Sequence, residues 1–361
     1  MKNDSSPLNI GQLEEIAAKK LPTEAYDYYS SGADDEVALR ANVEAFARRK
    51  IHHRVLVDVG NRVMNTRILG VDVAMPILVA PTAFHKMACE DGELATARAA
   101  KACGTAMMLS SLSNTDVEDV CAAHPGGVFF QLYVYRDREA TRGLVARAEA
   151  AGAKALVLTV DAPLLGRRER DVKNAFSLPT FLKVKNLVPA GYGDLDKTMG
   201  ASGLATYFAG LIDPSLSWKD IAWLRSLTKL PIAIKGIVRV DDAKRARDEG
   251  ASAIVVSNHG GRQLDASPAT LDVLAPIADA VGKDLEVLVD GGVRRGADAL
   301  KALALGAKAV LVGRPILWGL AWNGEAGATF VLETLRREFD LAMALAGCPT
   351  IDSITRDLTE P

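Results

Sequence analysis

Short apolar segments alternate along the chain with longer, amphipathic segments that are compatible with helices. The apolar segments are rich in Val, Ile and Leu and end in polar residues or glycine, which is typical of the inner strands of a parallel sheet. Helix-compatible stretches such as 92–102 and 241–250 separate them. Eight strands are predicted, at 77–81, 105–110, 128–133, 155–161, 231–236, 253–258, 286–291 and 309–314.

Strict alternation of strand and helix predicts a parallel sheet, and eight such units close naturally into a (β/α)8 TIM barrel. We assign the barrel to residues 77–345, with an N-terminal helical extension at 1–76 and a C-terminal tail at 346–361. The chain 1–361 is therefore interpreted as a single domain. A doubly wound open sheet is the structural alternative.

The connection between the fourth and fifth predicted strands is longer than the others. It contains about 70 residues, from 162 to 230, and includes a glycine-rich stretch at 191–203. Long connections inside compact domains are usually functional lids or disordered segments. We predict a lid insertion at 162–216 over the barrel mouth, with plain disorder as the alternative.

Composition excludes several classes of protein. The 361 residues carry 43 Lys and Arg against 45 Asp and Glu, and the net charge of −2 argues against a nucleic-acid surface. No window approaches 18 uninterrupted apolar residues, so we expect no membrane span. The four cysteines lack metal-ligand spacing, and no metal site is predicted. Because the N-terminus shows no apolar signal core, we expect a cytoplasmic protein.

The segment after the sixth predicted strand carries the strongest chemical signal. His259 is followed by two glycines, which permit a sharp turn, and by the cation Arg262. Active sites of this fold lie at the carboxyl ends of the strands, where a base and a carboxylate-binding group would stand together. The pattern predicts proton removal from an anionic organic acid. At the end of the fifth strand, Lys235 either stabilises negative charge on a ligand or merely reaches solvent.

The last two strands end in glycine-rich segments that contain arginine. These are DGGVRRG at 290–296 and VGRP at 312–315. Barrels of this kind often bind phosphate there, through glycine N–H groups and a helix N-terminus. Arg294 and Arg314 add positive charge suited to a phosphate monoester. The sequence therefore predicts a phosphate-bearing ligand at these strand ends.

These motifs together resemble those of the FMN-dependent L-2-hydroxy acid oxidases and dehydrogenases, and within that family the glycolate and L-lactate oxidases. The resemblance covers nearly the whole chain and implies a (β/α)8 barrel with FMN at its mouth. The stretches that carry it are YDYYSSGADDE (26–36), PILVAPTAF (76–84), FFQLYVY (129–135), LTVDAPLLGRRERD (158–171), SLSWKDIAWL (215–224), SNHGGRQLD (257–265), DGGVRRG (290–296) and ALALGAKAVLVGRP (302–315).

The resemblance implies a role for each of these positions in catalysis or substrate binding. His259 would be the base, oriented by Asp161, and Arg168 and Arg262 would hold the substrate carboxylate through paired charge-assisted bonds. The implied catalytic residues are Tyr133, Asp161, Lys235 and His259. The implied substrate contacts are Tyr28, Leu112, Tyr133, Arg168, Phe208, His259 and Arg262.

The resemblance also implies the FMN contacts. For the flavin ring and ribityl chain they are Pro81, Thr82, Ala83, Ser110, Gln131, Thr159, Lys235 and Ser257. For the phosphate they are Asp290, Gly291, Gly292, Val293, Arg294, Gly313 and Arg314. The family also implies a homo-oligomer, either a tetramer or an octamer.

Two positions depart from the plant glycolate oxidase pattern. Leu112 stands where those enzymes carry tryptophan, and Phe208 follows Tyr207 where they carry a smaller aliphatic residue. The smaller side chain at position 112 makes room for a methyl group, which favours L-lactate, although glycolate is also an expected substrate. We therefore expect oxidation of L-lactate to pyruvate, or of glycolate to glyoxylate, with O2 reduced to H2O2. Glycolate oxidase proper and a quinone-linked L-lactate dehydrogenase are the alternatives, and a non-catalytic flavin-binding barrel or a flavin-linked isomerase are the more distant ones.

Overall fold

Eight parallel strands close into a barrel in the computed structural model, which describes residues 7–192 and 208–359. Each strand pairs with the next, and Val312 pairs with Val79 to close the ring. The predicted (β/α)8 barrel is therefore confirmed, and the open-sheet alternative is wrong. The barrel strands are β3 (Ile77–Val79), β4 (Met107–Ser110), β5 (Val128–Leu132), β6 (Leu156–Thr159), β7 (Ile232–Ile237), β8 (Ala253–Val256), β9 (Glu286–Asp290) and β10 (Ala309–Val312).

Helices surround the barrel and cover part of its mouth. They are α1 (Ile10–Lys20), α2 (Thr23–Ser30), α3 (Val37–Arg48), α4 (Gly92–Ala102), α5 (Val117–Ala123), α6 (Arg138–Ala150), α7 (Glu169–Lys173), α8 (Lys219–Leu227), α9 (Val240–Asp248), α10 (Thr270–Val281), α11 (Gly296–Ala304) and α12 (Arg314–Ala346). The path of α12 is interrupted at Asn323 and at Gly324, which has a left-handed φ of 54°. No helix in the described ranges is both long and apolar enough to span a membrane.

The N-terminal segment is not entirely helical, contrary to expectation. After α1 to α3, the strands β1 (Thr66–Ile68) and β2 (Val71–Val73) form an antiparallel hairpin. Its turn contains Leu69 and Gly70, both with positive φ. Buried hairpin residues pack against barrel residues such as Leu78 and Phe129, so the hairpin closes one end of the barrel interior.

Close backbone contacts hold the N-terminal helices beside the loop that follows β8. The N–H of Ala33 donates to the carbonyl of Gly261 over 2.8 Å. A Cβ on Gly261, whose φ is 75°, would lie 2.5 Å from the backbone nitrogen of Leu39. Only glycine permits this approach, which brings α2 to the barrel mouth.

The long connection after β6 is ordered where it is described. It contains α7, a 3-10 turn at Lys185–Ala190, and a segment in which Ile212 bridges to Tyr135. The predicted lid at 162–216 lies partly outside the described residues, as do Tyr207 and most of the glycine-rich stretch. In the described part, Phe208 is buried.

Candidate active site

A cleft opens at the carboxyl ends of the barrel strands. Its volume is about 1070 Å³ when the space at its open mouth is included. Every predicted site residue lines it except Asp161 and Ser257, which lie directly behind its wall. A cleft of this size and position is typical of a small-molecule or cofactor site. The fold thus brings together predicted site residues that are as far apart in the sequence as Tyr28 and Arg314.

The proposed base is paired with a carboxylate. Nδ1 of His259 lies 2.8 Å from Oδ1 of Asp161, which leaves Nε2 as the second ring nitrogen. Burial lowers the pKa of His259, and Asp161 only partly opposes that effect. Burial alone would raise the pKa of Asp161, but the charge and hydrogen bond of His259, together with Lys235, lower it overall. The pair therefore combines a neutral imidazole with an ionised carboxylate at neutral pH.

The backbone at the base is strained. His259 has a left-handed φ of 59°, which is uncommon for a residue other than glycine. Its N–H donates to Oγ of Ser257 over 3.1 Å, which helps to hold this conformation. Strain of this kind persists where surrounding contacts impose it, and it occurs often at functional sites.

A buried ion pair lies next to the base. Nζ of Lys235 is 3.0 Å from Oδ2 of Asp290 and donates to Oγ of Ser257 over 2.8 Å. Burial alone would lower the pKa of Lys235, but Asp290 and Asp161 raise it overall, so the ammonium is charged. The alternative that Lys235 merely reaches solvent is wrong, because the residue is only 4% exposed. Ser257, expected on the cofactor surface, instead connects Lys235 to the backbone of His259.

Two arginines and a tyrosine form a cationic corner, which we call the carboxylate clamp (Arg168, Arg262 and Tyr28). The guanidinium carbons of Arg168 and Arg262 lie 6.0 and 5.0 Å from the centre of the Tyr28 ring. Nη1 of Arg262 donates to the carbonyls of Tyr28 and Ser31 over 2.7 and 2.8 Å. Burial, followed by repulsion from Arg262, lowers the pKa of Arg168 to about 10.

The guanidinium of Arg168 differs from that of Arg262 in having no hydrogen-bond partner among the residues that the structure describes. The residue is only 4% exposed, and its Nε is buried and has no partner within residues 7–192 and 208–359. The carboxylate of Asp171 lies 3.8 Å from Nη1 of Arg168, which is too far for a hydrogen bond. Buried donors are normally satisfied, so this guanidinium has the donor set that an incoming carboxylate requires.

Apolar and aromatic side chains line the cleft near the clamp. The rings of Tyr133 and Phe208 meet edge to face, with centroids 5.0 Å apart. Leu112 lies on the same cleft, and its backbone N–H donates to Oγ of Ser110 over 3.1 Å. These side chains therefore define where a substituent of a bound acid would fit.

A row of polar side chains crosses the ends of β4, β5 and β6. Ser110 donates to Oε1 of Gln131 over 3.2 Å, and Nε2 of Gln131 donates to Oγ1 of Thr159 over 2.9 Å. All three side chains face the cleft and are at most 5% exposed. Such a row of donors and acceptors fits the polar edge of a flavin ring.

The glycine-rich ends of β9 and β10 fit a phosphate group. Within the described part of the chain, no hydrogen bond takes up the backbone N–H groups of Gly292, Val293 and Gly313. A Cβ on Gly292, whose φ is 93°, would lie 2.2 Å from the carbonyl oxygen of Asn42. Gly313 caps the N-terminus of α12, where N–H groups and the helix dipole favour an anion. The residues present therefore fit FMN.

The two predicted phosphate arginines differ in their contacts. Arg294 stacks over the Trp318 ring, with its guanidinium carbon 5.0 Å from the ring centroid. Arg314 instead donates to the carbonyls of Tyr29, Gly260 and Ser31 over 3.0, 3.0 and 2.9 Å. Its three nitrogens thus bind backbone, and Arg314 braces the N-terminal segment while it lines the cleft.

Several lining residues were not predicted from the sequence. Nε2 of Gln263 donates to the carbonyls of Asp161 and Leu164 over 3.0 and 2.8 Å, and so fixes the loop after β6. The hydroxyl of Tyr29 donates to the carbonyl of Phe84 over 2.5 Å. Gln263 follows Arg262 directly and Tyr29 follows Tyr28, so proximity to a predicted site residue was the available signal.

The family model of the FMN-dependent dehydrogenases matches residues 17–361. The chain belongs to this family. It is 53% identical to glycolate oxidase of Spinacia oleracea over 348 residues, 96% of this chain and 94% of that protein. It is 52% identical to glycolate oxidase 3 of Oryza sativa subsp. indica over 349 residues, 97% and 95% of the two chains.

Solved structures give the same assignment. A mandelate oxidase with (S)-4-hydroxymandelic acid superposes with a TM-score of 0.94 at 42% identity, over 98% of each chain. The protein is an FMN-dependent enzyme of the 2-hydroxy acid oxidase class, and FMN is its cofactor. The two curated relatives described above are glycolate oxidases, so the expected preference for L-lactate is not confirmed.

Proposed function

We propose that this member of the family oxidises glycolate and other short L-2-hydroxy acids to 2-oxo acids, with O2 as the electron acceptor and H2O2 as the product. The similarity to glycolate oxidases supports glycolate as a substrate. The observation that carries the proposal is the buried guanidinium of Arg168, which has no hydrogen-bond partner in the described ranges, beside the His259–Asp161 pair. One group suits a carboxylate, and the other suits proton removal at the neighbouring carbon or hydroxyl.

The geometry supports a separate role for each of these side chains. Arg168 and Arg262 would bind the substrate carboxylate and so orient the 2-hydroxy carbon. His259 would take a proton at Nε2, because Nδ1 is already bonded to Asp161. The imidazolium that results would be stabilised by Asp161, which is ionised. When bound, FMN supplies the two-electron acceptor, and the charged Lys235 favours its anionic form.

L-Lactate is a second candidate substrate on a specific observation. Leu112 and Phe208 are 4% and 2% exposed, and both line the cleft beside Tyr133. Leucine at position 112 leaves space that an indole would fill. This space suits the methyl group of L-lactate. A methyl-sized difference discriminates by only about 1–3 kcal/mol, so one site could oxidise both acids.

Oxygen uptake by the purified holoenzyme, without an added acceptor, tests the proposal. Glycolate should cause O2 consumption with stoichiometric H2O2, and L-lactate should be compared at the same concentration. Reduction of a quinone analogue without oxygen uptake would favour the dehydrogenase alternative. No bleaching of the flavin by either acid under anaerobic conditions would refute the proposed function.

A further inference from the structure

A buried carboxylate lies behind the clamp and outside the cleft. Asp171 belongs to the first turn of α7, three residues after Arg168. The two side chains are 2% and 4% exposed, and Oδ2 of Asp171 lies 3.8 Å from Nη1 of Arg168. Neither oxygen of Asp171 has a hydrogen-bond partner within residues 7–192 and 208–359. Asp171 therefore acts on the clamp through its charge and not through a directed bond.

The charged groups around Asp171 come from three elements. Burial raises the pKa of Asp171, while Arg262 and Arg168 lower it and Asp27 on α2 raises it. Asp27 is itself occupied, since it lies 3.6 Å from Arg170 and accepts from Nδ2 of Asn174 over 2.7 Å. Among the described residues, Asp171 thus provides the carboxylate that lies within ion-pair distance of Arg168.

The charge balance of the clamp follows from these positions. The guanidinium groups of Arg168 and Arg262 repel each other, and this repulsion adds to burial in lowering the pKa of Arg168. One buried carboxylate beside two guanidinium groups leaves a single net positive charge. Arg314 is a further buried cation near both groups, but three backbone carbonyls bind it. Burying unbalanced charge is costly, so the charge that Asp171 offsets makes the clamp less favourable for a ligand with two negative charges.

We propose that Asp171 sets the net charge of the clamp, and that it thereby makes the site select acids with one carboxylate over dicarboxylates. Asp171 is a positioning residue in this role, because it acts through Arg168 and Arg262 and does not touch the substrate. The inference rests on the proposed function, since it concerns the same carboxylate site. It adds a determinant of specificity that lies outside the cleft.

Equilibrium binding of inert anions to the oxidised holoenzyme tests this role. Acetate, with one carboxylate, and oxalate, with two, are titrated separately while the visible spectrum of the flavin is followed. For Asp171→Asn, the ratio of the acetate Kd to the oxalate Kd should rise about tenfold over wild type, because the clamp gains one unit of positive charge. Asp171→Glu keeps the charge and should retain the wild-type ratio.

Asp27→Asn provides the matched control. It removes a carboxylate from the same junction of α2 and α7, but one that is paired with Arg170. The ratio of the acetate Kd to the oxalate Kd in this variant should stay within about twofold of wild type, because a partly exposed ion pair contributes little energy. Flavin content and the thermal unfolding midpoint confirm that each variant is folded.

Two results would overturn the inference. One is an unchanged ratio of the acetate Kd to the oxalate Kd in folded, flavin-loaded Asp171→Asn. The other is a rise in Asp171→Glu as large as that in Asp171→Asn, which would show that the shape of the side chain, and not its charge, determines the ratio. Because acetate and oxalate are not oxidised, these results are independent of turnover. Loss of the proposed function would show instead as a wild-type holoenzyme whose flavin no 2-hydroxy acid reduces.

Discussion

Gly236 and Asp161 are in such close contact that a Cβ on the glycine would lie 2.6 Å from the Cβ of the aspartate. Gly236 is near the end of β7 and has a φ of 114°. Its missing side chain therefore provides the space in which Asp161 reaches His259.

Gly236→Ala should both destabilise the protein and impair the base. The left-handed φ and the contact with Asp161 together should cost more than about 1 kcal/mol of the free energy of unfolding. Displacement of Asp161 should lower kcat more than it changes KM.

The control is Gly143→Ala on α6, where a Cβ meets no described residue within 4 Å, and where alanine should stabilise by about 0.5–1 kcal/mol. Urea unfolding and steady-state kinetics measure both effects, and a fully active Gly236→Ala protein would contradict this account.

Asp161→Asn should shift the pH dependence of the reaction. His259 works as a base only when neutral, so kcat/KM rises with pH through its pKa, which burial places below the reference value of about 6.5. Asp161 raises that pKa, so its removal should move the acid limb to lower pH. The rate at the plateau should fall by about 10²-fold or more, as expected when general-base catalysis is impaired.

His53→Gln, at an exposed position outside the cleft, is the control for this experiment and should keep the wild-type profile. An acid limb that moves to higher pH in Asp161→Asn would show that Asp161 does not raise the pKa of His259.

Arg168→Met should weaken substrate binding more cleanly than a change at Arg262. Arg262 also bonds the carbonyls of Tyr28 and Ser31, so its loss would loosen the N-terminal segment as well. Loss of the charge-assisted bonds of Arg168 should raise KM for glycolate by about 10- to 100-fold. Arg170→Met, two residues away and 43% exposed, should leave KM unchanged. Equal KM values for wild type and Arg168→Met would exclude Arg168 from the clamp.

Leu112→Trp should shift the relative use of two substrates. An indole at this position would fill the space beside Tyr133 and Phe208, so the ratio of kcat/KM for L-lactate to that for glycolate should fall by about tenfold. Leu112→Met, of similar volume, should leave the ratio near the wild-type value. If the tryptophan variant keeps the wild-type ratio, Leu112 does not determine the size of the accepted substituent.

The sequence predicted the barrel because each inner strand is a short apolar run. Most predicted strands were longer than the observed ones: 155–161 was expected where Leu156–Thr159 is found, whereas 231–236 matches Ile232–Ile237 in length. The difference lies at the carboxyl end, where Asp161 leaves the sheet to meet His259. Polar residues at strand ends therefore indicated residues that line the cleft, but they led to an overestimate of strand length.

Contacts that depend on packing between distant segments were not predictable in this way. The sequence marked Arg314 as a phosphate ligand, but its bonds to Tyr29 and Ser31 follow from how the N-terminal helices cross the mouth. Asp171 ends the motif at 158–171, but no pattern in its own segment shows that it is buried beside two arginines. The β1–β2 hairpin was missed because its three-residue strands are too short for a periodic signal.

The bracing of Tyr29 by Arg314 has a consequence for the order of events during synthesis. The two residues are 285 positions apart, so the helix that carries Tyr28 leaves the ribosome long before its docking partner exists. Non-local contacts of this kind form late and slow the search for the native state. The first helices can therefore contact Phe84 early, but their docking is completed only after the eighth barrel strand has been made and Arg314 has followed it.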